Sequence, residues 1–482
     1  MAGPTLSSPD LPHSPRVAEL DGALDKIGVT RSHHTIIFLI LIGCLFDAFE
    51  QNAIGLVGPL LKQQWGLTAT DIGLLNTVTF ASAAIGRIVS GLVADRYGRR
   101  VMLSLDLLLF TLGAGICALA PDLTVMAVGR AIVGFGLGGE IAIAVTMLAE
   151  FCSSKFRGTA VGLVNVGAGG MGNFLAPAFG LLVFTLFPGE NSWRWLFFCL
   201  MLPALLGAFY RRYIPETPRF LLSRNKIAEA NQVLARLASG KLSGPAPQGR
   251  DWISDDGSRQ QAAPAKVRSM EIFQGALARR TLPLCIAIWM TYGAQISVLT
   301  LMPTILVSLG YTISKSLLFT MVMQSGSLLG AIAASVFGFH LPRKRVLTAG
   351  AICACLAALA IGFLAKSIVL ILAAGAVFQF FVLLLNTTIW IFAPELYPTR
   401  VRAFGTAFIL ATGTAAGALM PLVAGRLFDA FGLAGVFGMI AAMYGIFTVA
   451  IRTVPETYGK SPDAPLEETA PEAVVPAVAA RS

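Results

Sequence analysis

The sequence predicts an all-α integral membrane protein, with twelve transmembrane helices in two pseudo-symmetric six-helix bundles. The chain is 55% hydrophobic and only 13% charged, whereas a soluble domain carries about 25% charged residues. Twelve apolar runs reach the length of about 20 residues that a helix needs to cross a bilayer. Acidic and basic residues also recur at one spacing in the two halves of the chain. Length, composition and repetition therefore indicate a duplicated bundle of membrane helices.

The apolar runs follow one another with short polar loops between them. Their approximate bounds are 35–61, 70–92, 101–120, 123–149, 158–186, 194–213, 281–308, 316–339, 346–364, 367–393, 403–429 and 432–453. The stretch 215–280 differs, because outside the amphipathic run Ile227–Leu237 it is polar and rich in Gly and Pro. We expect a short cytoplasmic helix there, followed by a flexible linker. The predicted organisation is a disordered cytoplasmic tail at 1–30, a first bundle at 31–214, the linker at 215–280, a second bundle at 281–454 and a disordered cytoplasmic tail at 455–482.

Basic residues accumulate in alternate loops, which predicts the orientation of the chain. The basic set is Arg96, Arg99, Arg100, Lys155, Arg157, the stretch 211–280, Arg343, Lys344, Arg345, Arg400 and Arg402. The opposite loops carry only Lys62, Arg194, Lys315, Lys366 and Arg426. Because cytoplasmic loops carry the excess of Lys and Arg, the first set is predicted to be cytoplasmic. The protein is then expected to lie in the cell (inner) membrane with both termini in the cytoplasm.

The composition argues against several other classes of protein. The net charge of +10 comes from basic residues clustered between apolar runs, which does not suggest a nucleic-acid surface. The seven cysteines fall almost entirely in apolar runs, and the four histidines show no convincing ligand spacing. The chain also lacks a Gly-x-x-x-x-Gly-Lys loop for ATP. We expect no enzyme activity, no cofactor, no metal site and no nucleic-acid partner.

Two acids interrupt the first apolar run. Asp47 and Glu50 lie three residues apart, so a helix presents both on one side. A charge at the centre of a bilayer costs about 2.5–3.5 kcal/mol on insertion scales, so such groups face a protein interior or a water-filled cavity. Ionisable groups inside a membrane are functional candidates by default, although a satisfied structural pair is the alternative.

The fourth run also contains two charged residues, Arg130 and Glu140. They lie ten residues apart, or about 15 Å along a helix, so they cannot pair with each other. The simplest hypothesis pairs Arg130 with the carboxylates of the first run. The alternatives are that Arg130 binds substrate or is a structural brace.

An offset of 245 residues relates the two halves of the chain. It carries Glu150 to Glu395 and Arg157 to Arg402, after the fourth and tenth runs. The same offset carries Asp95 to His340, Arg99 to Lys344, Arg100 to Arg345, Asp47 to Tyr292 and Glu50 to Gln295. This register predicts duplicated bundles around a shared cleft, near the midplane of the membrane. The acids of the first run have neutral hydrogen-bonding counterparts in the seventh.

The turn after the second run has a specific pattern of glycine, acid and arginine. Its key residues are Gly91, Asp95, Arg96, Gly98, Arg99 and Arg100. The acid can accept hydrogen bonds from a helix N-terminus while the arginines bind carbonyls, acids or lipid phosphates. We expect this turn, with Glu150, Arg157, Glu395 and Arg402, to act as a conformational latch; an ordinary basic loop is the alternative. The pattern resembles the Gly-x-x-x-Asp-Arg-x-Gly-Arg-Arg signature of the major facilitator superfamily, and the resemblance covers about residues 30–455.

Five further motifs narrow the resemblance. They are Asp47-Ala48-Phe49-Glu50, Gly138-Gly139-Glu140, the stretch from Pro394 to Arg402, Pro215-Glu216-Thr217-Pro218-Arg219-Phe220 and Pro455-Glu456-Thr457. Together they resemble metabolite–proton symporters of the aromatic-acid, nicotinate, phosphate and synaptic-vesicle-type branches. The resemblance implies proton coupling at Asp47 and Glu50, to which we add Arg130 and Glu140. Two positions depart from the aromatic-acid pattern, with Glu50 where Asp is usual and Ala48 where Gly is usual.

The expected function is proton-coupled uptake of a small organic anion, such as an aromatic acid or a nicotinate-like compound, by a monomer. The partners are then the substrate, protons and the lipid bilayer. The predicted substrate-binding residues are Asn165, Asn173, Tyr292, Gln295, Gln379, Asn386 and Trp390. Amides and aromatic rings can hydrogen-bond and stack a planar substrate, although each of these residues could equally be a packing residue. Three other functions stay open: a sugar or polyol–proton symporter, a proton-driven efflux antiporter, and a sensor that binds ligand without transport.

Overall fold

A computed structural model of the protein describes residues 15–244, 251–254, 269–337, 341–364, 367–397 and 401–457. These residues form helices joined by short loops, and no strand occurs among them. The α-helices are α1 Pro15–Ile27, α2 Arg31–Trp65, α3 Ala69–Tyr97, α4 Arg99–Leu119, α5 Leu123–Phe151, α6 Ser154–Asn165, α7 Asn173–Leu186, α8 Ser192–Cys199, α9 Pro203–Tyr213, α10 Pro218–Ser223, α11 Ile227–Ser239, α12 Gly275–Ser308, α13 Ile313–Phe337, α14 Arg343–Leu359, α15 Ile368–Glu395 and α16 Arg402–Arg452.

Eleven helical stretches within the described residues are long and apolar enough to cross a membrane. The last of them belongs to α16, which has 51 residues and breaks at Gly432, where φ is +62°. Glycine takes up this left-handed conformation without a steric penalty. Each arm of α16 is long enough to span a bilayer, and the two arms match the predicted runs 403–429 and 432–453. The predicted fold class is confirmed.

Two π-helical segments interrupt the regular helices. Val166–Gly172 joins α6 to α7, and Ala360–Leu364 continues α14. The first segment is rich in glycine, so its wide turn carries few side chains. Gly170 lies against Ala331 of α13, where an added Cβ would stand 2.9 Å from the alanine methyl group. The predicted run 158–186 is therefore two helices joined by a segment that packs closely on its neighbour.

The described residues divide into two compact units. The first unit contains segments within 1–51, 81–168 and 191–266, and the second contains segments within 52–80, 169–190 and 267–482. These units group segments by packing, whereas the predicted halves 31–214 and 281–454 group them by sequence order. The division into halves therefore stays a prediction.

The second unit holds parts of α2 and α3 tightly against α12 and α16. Gly55 of α2 meets the main chain of α12, because a Cβ at this position would lie 2.2 Å from the carbonyl oxygen of Leu299. The carboxylate of Asp429 on α16 accepts hydrogen bonds from the main-chain N–H groups of Ala69 at 3.2 Å and Thr70 at 3.0 Å. This carboxylate satisfies N–H groups at the start of α3 that have no partner within the helix.

The tails and the linker differ from the expectation in part. Residues 1–14 and 458–482 lie outside the described residues, but 15–27 form helix α1 rather than a disordered segment. The reason is the spacing of Leu20, Ala23 and Leu24, which are buried in the same apolar core as α11. The predicted linker helix is α11, whereas α12 begins at Gly275 instead of 281. Residues 245–250 and 255–268 of the linker lie outside the described residues.

Candidate functional site

Among the described residues of the first unit, four acids and one arginine are almost fully buried in membrane-spanning helices. They are Asp47, Glu50, Asp106, Arg130 and Glu140, each at most 2% exposed. The helices α2, α4 and α5 carry them. Since isolated buried charges are costly, each group needs a counter-charge, a hydrogen bond or a proton.

Glu50 pairs with Arg130. The Oε1 atom of Glu50 accepts a hydrogen bond from the guanidinium NH1 of Arg130. The NH2 group of Arg130 also donates to the main-chain oxygen of Glu50 at 3.3 Å. Both side chains are 0% exposed, so water does not screen this pair. The simplest hypothesis for Arg130, a carboxylate of the first run, is the one that the structure shows.

The carboxyl groups of Asp47 and Glu140 lie within hydrogen-bonding reach of each other. Two carboxyl groups can form such a bond only when one of them carries a proton, because two carboxylates present acceptors alone. Asp47 and Glu50 therefore have different partners in the structure. Three residues turn the side chain by about 60° and advance it by about 4.5 Å along α2, which suffices to give the two acids different partners.

The main chain of Gly43 makes room for the Asp47–Glu140 pair. A Cβ at this position would lie 2.8 Å from Oε1 of Glu140 and 2.2 Å from the hydroxyl oxygen of Tyr210. That hydroxyl group donates a hydrogen bond to the carbonyl oxygen of Leu39 at 3.0 Å. The pair therefore has polar neighbours on α2 and α9, although it is closed off from solvent.

Asp106 is a buried acid that the sequence interpretation missed. The hydroxyl group of Ser90 donates a hydrogen bond to its Oδ1 at 2.9 Å. Its Oδ2 has no hydrogen-bond partner among the described residues, and it lies 2.4 Å from where a Cβ on Gly139 would stand. The carboxyl group is therefore next to the residue that precedes Glu140. The sequence contained a signal for this residue, because Asp106 is the one acid in the third apolar run.

The second unit contains most of the predicted substrate residues. Asn165 lies in the first unit, and the other six lie in the second. The amide nitrogen of Asn386 donates to Oε1 of Gln295 at 2.5 Å, and both side chains are buried. Gln379 is 0% exposed, and neither of its amide atoms has a hydrogen-bond partner among the described residues.

The remaining predicted substrate residues have separate surroundings. Asn173 accepts a hydrogen bond at 3.0 Å from Asn52, a residue that the sequence interpretation did not single out. Tyr292 packs edge-on against Phe80 with the ring centroids 6.5 Å apart. Trp390 is half-buried, one turn after Asn386 on α15. The structure therefore brings Gln295 and Asn386 together, but shows no joint contact among all seven.

The predicted latch of the first unit is centred on Glu216. Its carboxylate accepts hydrogen bonds from the main-chain N–H groups of Arg99 at 3.0 Å and Arg100 at 3.2 Å, at the start of α4. Burial raises the pKa of Glu216, while these N–H donors oppose the shift. Asp95 does not have this role, since its side chain is 73% exposed and pairs with Arg99 at 3.0 Å. Glu150 pairs with Arg99 at 3.6 Å and accepts a hydrogen bond from the Thr217 hydroxyl group.

The other residues of this latch have minor or local contacts. Gly98 has φ +107°, and a Cβ there would collide with the Glu216 carboxylate. Arg157 donates to the carbonyl oxygen of Ala149 at 2.8 Å. The guanidinium group of Arg96 lies over the Tyr97 ring, and a Cβ at Gly91 would meet nothing within 4 Å.

The second unit contains an equivalent network, but its basic residues are shifted by one position from the offset of 245 residues. Glu456 accepts hydrogen bonds from the main-chain N–H groups of Arg343 at 3.1 Å and Lys344 at 3.0 Å. Arg343 also pairs with Glu395 at 3.2 Å, and Thr457 donates to the same carboxylate. Arg99 therefore corresponds to Arg343, and Arg100 to Lys344. The predicted pairing of Arg99 with Lys344 is wrong by one residue.

The two remaining residues of the second copy have different outcomes. The guanidinium group of Arg402 donates to the carbonyl oxygen of Tyr397 at 3.2 Å. His340, the predicted counterpart of Asp95, lies outside the described residues. The contacts of Glu395 and Glu456 show that the second copy forms an ion-pair network without an acid in its turn.

Comparison with known proteins agrees with the fold and the motifs. A family model described as sugar (and other) transporter matches residues 37–465. The chain belongs to the sugar (and other) transporter family of the major facilitator superfamily. Its fold is similar to that of the xylose transporter XylE from E. coli in a partially occluded inward open conformation. The TM-score is 0.72 at 18% sequence identity, over 89% of this chain and 99% of that one.

Curated relatives in this transporter family also match most of the chain. The niacin transporter NiaP of Acinetobacter baylyi is 28% identical over 92% of this chain and 98% of its own length. The gallate transporter of Pseudomonas putida is 29% identical over 81% and 85%, respectively. A probable 4-methylmuconolactone transporter of Cupriavidus pinatubonensis is 26% identical over 89% and 94%. The chain is a multi-pass membrane transporter.

Proposed function

We propose that this transporter couples proton entry to the uptake of a small organic anion, an aromatic acid or a nicotinate-like compound. The names of two relatives support the substrate class, since niacin and gallate are both aromatic carboxylic acids. The observation that carries the proton coupling is the buried contact between the carboxyl groups of Asp47 and Glu140. In this proposal the pair holds a proton, because two adjacent buried carboxylates would repel each other.

The proposed cycle alternates the protonation of this pair. When the pair holds a proton, it carries at most one negative charge in a low-dielectric environment, and the protein can occlude it. Loss of the proton leaves two adjacent buried carboxylates, which repel each other strongly. The repulsion favours a conformation that readmits water, and a proton from the acidic side then restores the pair. The chain would transport by alternating access of this kind.

Arg130 links the proton to the anion in this proposal. In the structure its guanidinium group is neutralised by Glu50. If Glu50 takes up a proton, the guanidinium group loses its counter-charge, and we propose that it then binds a substrate carboxylate in a bidentate geometry. Within the second unit, the amide pair Gln295–Asn386 and the ring of Trp390 are a separate candidate for substrate contacts.

The decisive experiment uses purified protein in liposomes with an imposed pH gradient, acidic outside. We expect accumulation of labelled nicotinate, benzoate or hydroxybenzoate that collapses when a protonophore is added. The variants Asp47→Asn and Glu50→Gln should lose gradient-driven accumulation. If both keep it, the coupling assignment is wrong. The control variant Gln64→Glu adds an acid at the C-terminal end of α2 and should leave coupling intact.

A sugar–proton symporter is the second candidate. The family description includes sugars, and buried amides such as Gln295 and Asn386 also suit the hydroxyl groups of a sugar. Counterflow of labelled xylose, without counterflow of nicotinate, would favour this candidate. Net export from everted vesicles would instead indicate a proton-driven antiporter, and binding without any counterflow would indicate a sensor.

A further inference from the structure

A groove lies in the second unit where α14 begins and α16 ends. Its volume is about 470 Å³, and its lining residues are Lys344, Arg345, Thr348, Ala349, Ile352 and Arg452. The membrane-capable stretches of both helices terminate here, at Arg343 and Arg452. The groove is therefore at the level where these helices leave the hydrocarbon of the bilayer.

The groove contains three cationic side chains that the described residues do not neutralise. Among the described residues, the side chains of Lys344, Arg345 and Arg452 form no ion pair and no hydrogen bond. Their neighbour Arg343 behaves differently, since it pairs with Glu395. Three positive charges close together repel one another, so an anion bound among them would lower their energy.

Below the cations, the groove continues into apolar surface that no described part of the protein covers. On α14, Ile352 is 42% exposed and Leu356, one turn further along, is 60% exposed. On α16, Val449 is 68% exposed and Ile446 is 47% exposed. Apolar chains would fit against these residues while a polar group stays at the basic end.

The corresponding positions of the first unit carry no such free cations among the residues that the structure describes. Arg100, the counterpart of Lys344, donates through its guanidinium group to the carbonyl oxygen of Arg211. Arg212, the counterpart of Arg452, lies over the ring of Tyr213. Val101 occupies the position of Arg345. The cluster is therefore particular to the second unit, and the general excess of basic residues in loops of one side does not account for it.

We propose that this groove binds an anionic phospholipid, with the phosphate among Lys344, Arg345 and Arg452 and the acyl chains along α14 and α16. Charge complementarity supports the phosphate, and the exposed apolar side chains support the acyl chains. Zwitterionic lipids bind less well, because their own cation opposes the three side chains. The inference is independent of the transported substrate.

The test is native mass spectrometry of the full-length protein in detergent, titrated with cardiolipin, phosphatidylglycerol or phosphatidylcholine. We expect tight binding of the first two lipids only. One cation near an anionic lipid surface contributes about 1 kcal/mol, so Arg345→Gln should weaken binding about fivefold. The triple variant K344Q/R345Q/R452Q should weaken it about a hundredfold. The control K62Q/K315Q/R426Q removes the same net charge elsewhere and should bind lipid like the wild type.

Several outcomes would overturn the proposal. One is binding of phosphatidylcholine that is as tight as binding of the two anionic lipids. Another is unchanged lipid binding by both Arg345→Gln and the triple variant, with the triple variant folded. Displacement of cardiolipin by an equal concentration of inorganic phosphate would show an anion site without acyl contacts. Residues 459–482 carry acids such as Glu467 and Glu468. If a chain ending at residue 458 binds lipid much more tightly than the full chain, the acidic tail is the occupant instead.

Discussion

Asp47 and Glu140 contact each other through two buried carboxyl groups, although one lies on α2 and the other on α5. Since two carboxylates offer only acceptors, a hydrogen bond between them needs one proton. The proposed coupling therefore joins an acid of the first apolar run to one of the fourth, whereas Glu50, the near neighbour of Asp47, pairs with Arg130.

The first prediction concerns Glu140. Glu140→Gln keeps a hydrogen-bonding group at this position but removes the titrating carboxyl group. We expect gradient-driven uptake to fall on the order of a hundredfold, the low end for a positioned proton-transfer group. Counterflow without a gradient should survive, because it needs no net proton movement. Equal loss of both activities would show a structural role only. Gln63→Glu, which adds an acid at the end of α2, is the matched control.

The second prediction concerns Asp106. Asp106→Asn retains an oxygen acceptor for the Ser90 hydroxyl group, so folding should be preserved. If Asp106 passes protons to and from the neighbouring pair, uptake driven by a pH gradient should slow on the order of tenfold, with unchanged substrate affinity. The measurement is initial uptake against pH. A wild-type pH profile in D106N would exclude this role.

The third prediction separates stability from transport at the Glu50–Arg130 pair. Arg130→Gln leaves Glu50 buried without its counter-charge, which costs about 3–5 kcal/mol. The double variant E50Q/R130Q removes both charges and should regain most of the thermal stability. Its proton-coupled uptake should stay absent, because both the titrating acid and the anion-binding cation are gone. Recovery of uptake in the double variant would contradict the proposal.

The fourth prediction concerns Glu216, which lies outside the membrane-spanning helices. Glu216→Ala exposes unsatisfied N–H groups at the start of α4 and should cost about 1 kcal/mol. Glu456→Ala removes the equivalent acceptor from α14 and is the matched variant. The measurement is the midpoint of thermal unfolding in detergent. An unchanged unfolding midpoint in both variants would show that water fully replaces the carboxylate as the acceptor.

The same residue gives a dependence on pH. Because burial raises the pKa of Glu216 in the folded protein, that state binds a proton at a pH where the unfolded chain does not. The stability of the wild type relative to E216A should therefore increase as the pH falls through the raised pKa towards about 4.5. It should be constant below that value. A constant difference across the whole range would show that the pKa is not raised.

The sequence predicted the membrane fold and four of the five residues of the buried site, because length, apolar content and charge inside an apolar run are local properties. It paired Arg130 with the carboxylates of the first run but could not predict which of them is the partner, since the contacts of Asp47 and Glu50 depend on how α2 is rotated against α5. Asp106 was missed although the same rule applied to it. The one-residue error in the repeat at Arg343 arose because a constant offset cannot account for an unequal loop. Helix α1 was missed because its few apolar residues become informative only when α11 is beside them.

The close approach of Gly55 to the carbonyl oxygen of Leu299 affects how fast the transporter can change conformation. No side chain stands between the two helices at this point, so rotation of a side chain cannot open a path there. Only displacement of whole helices can part them, and such collective motions take microseconds to milliseconds, whereas exposed side chains reorient within nanoseconds. The turnover rate of this transporter is accordingly expected to follow the stiffness of its backbone contacts, and a bulky residue in place of Gly55 would change that rate without touching any charged group.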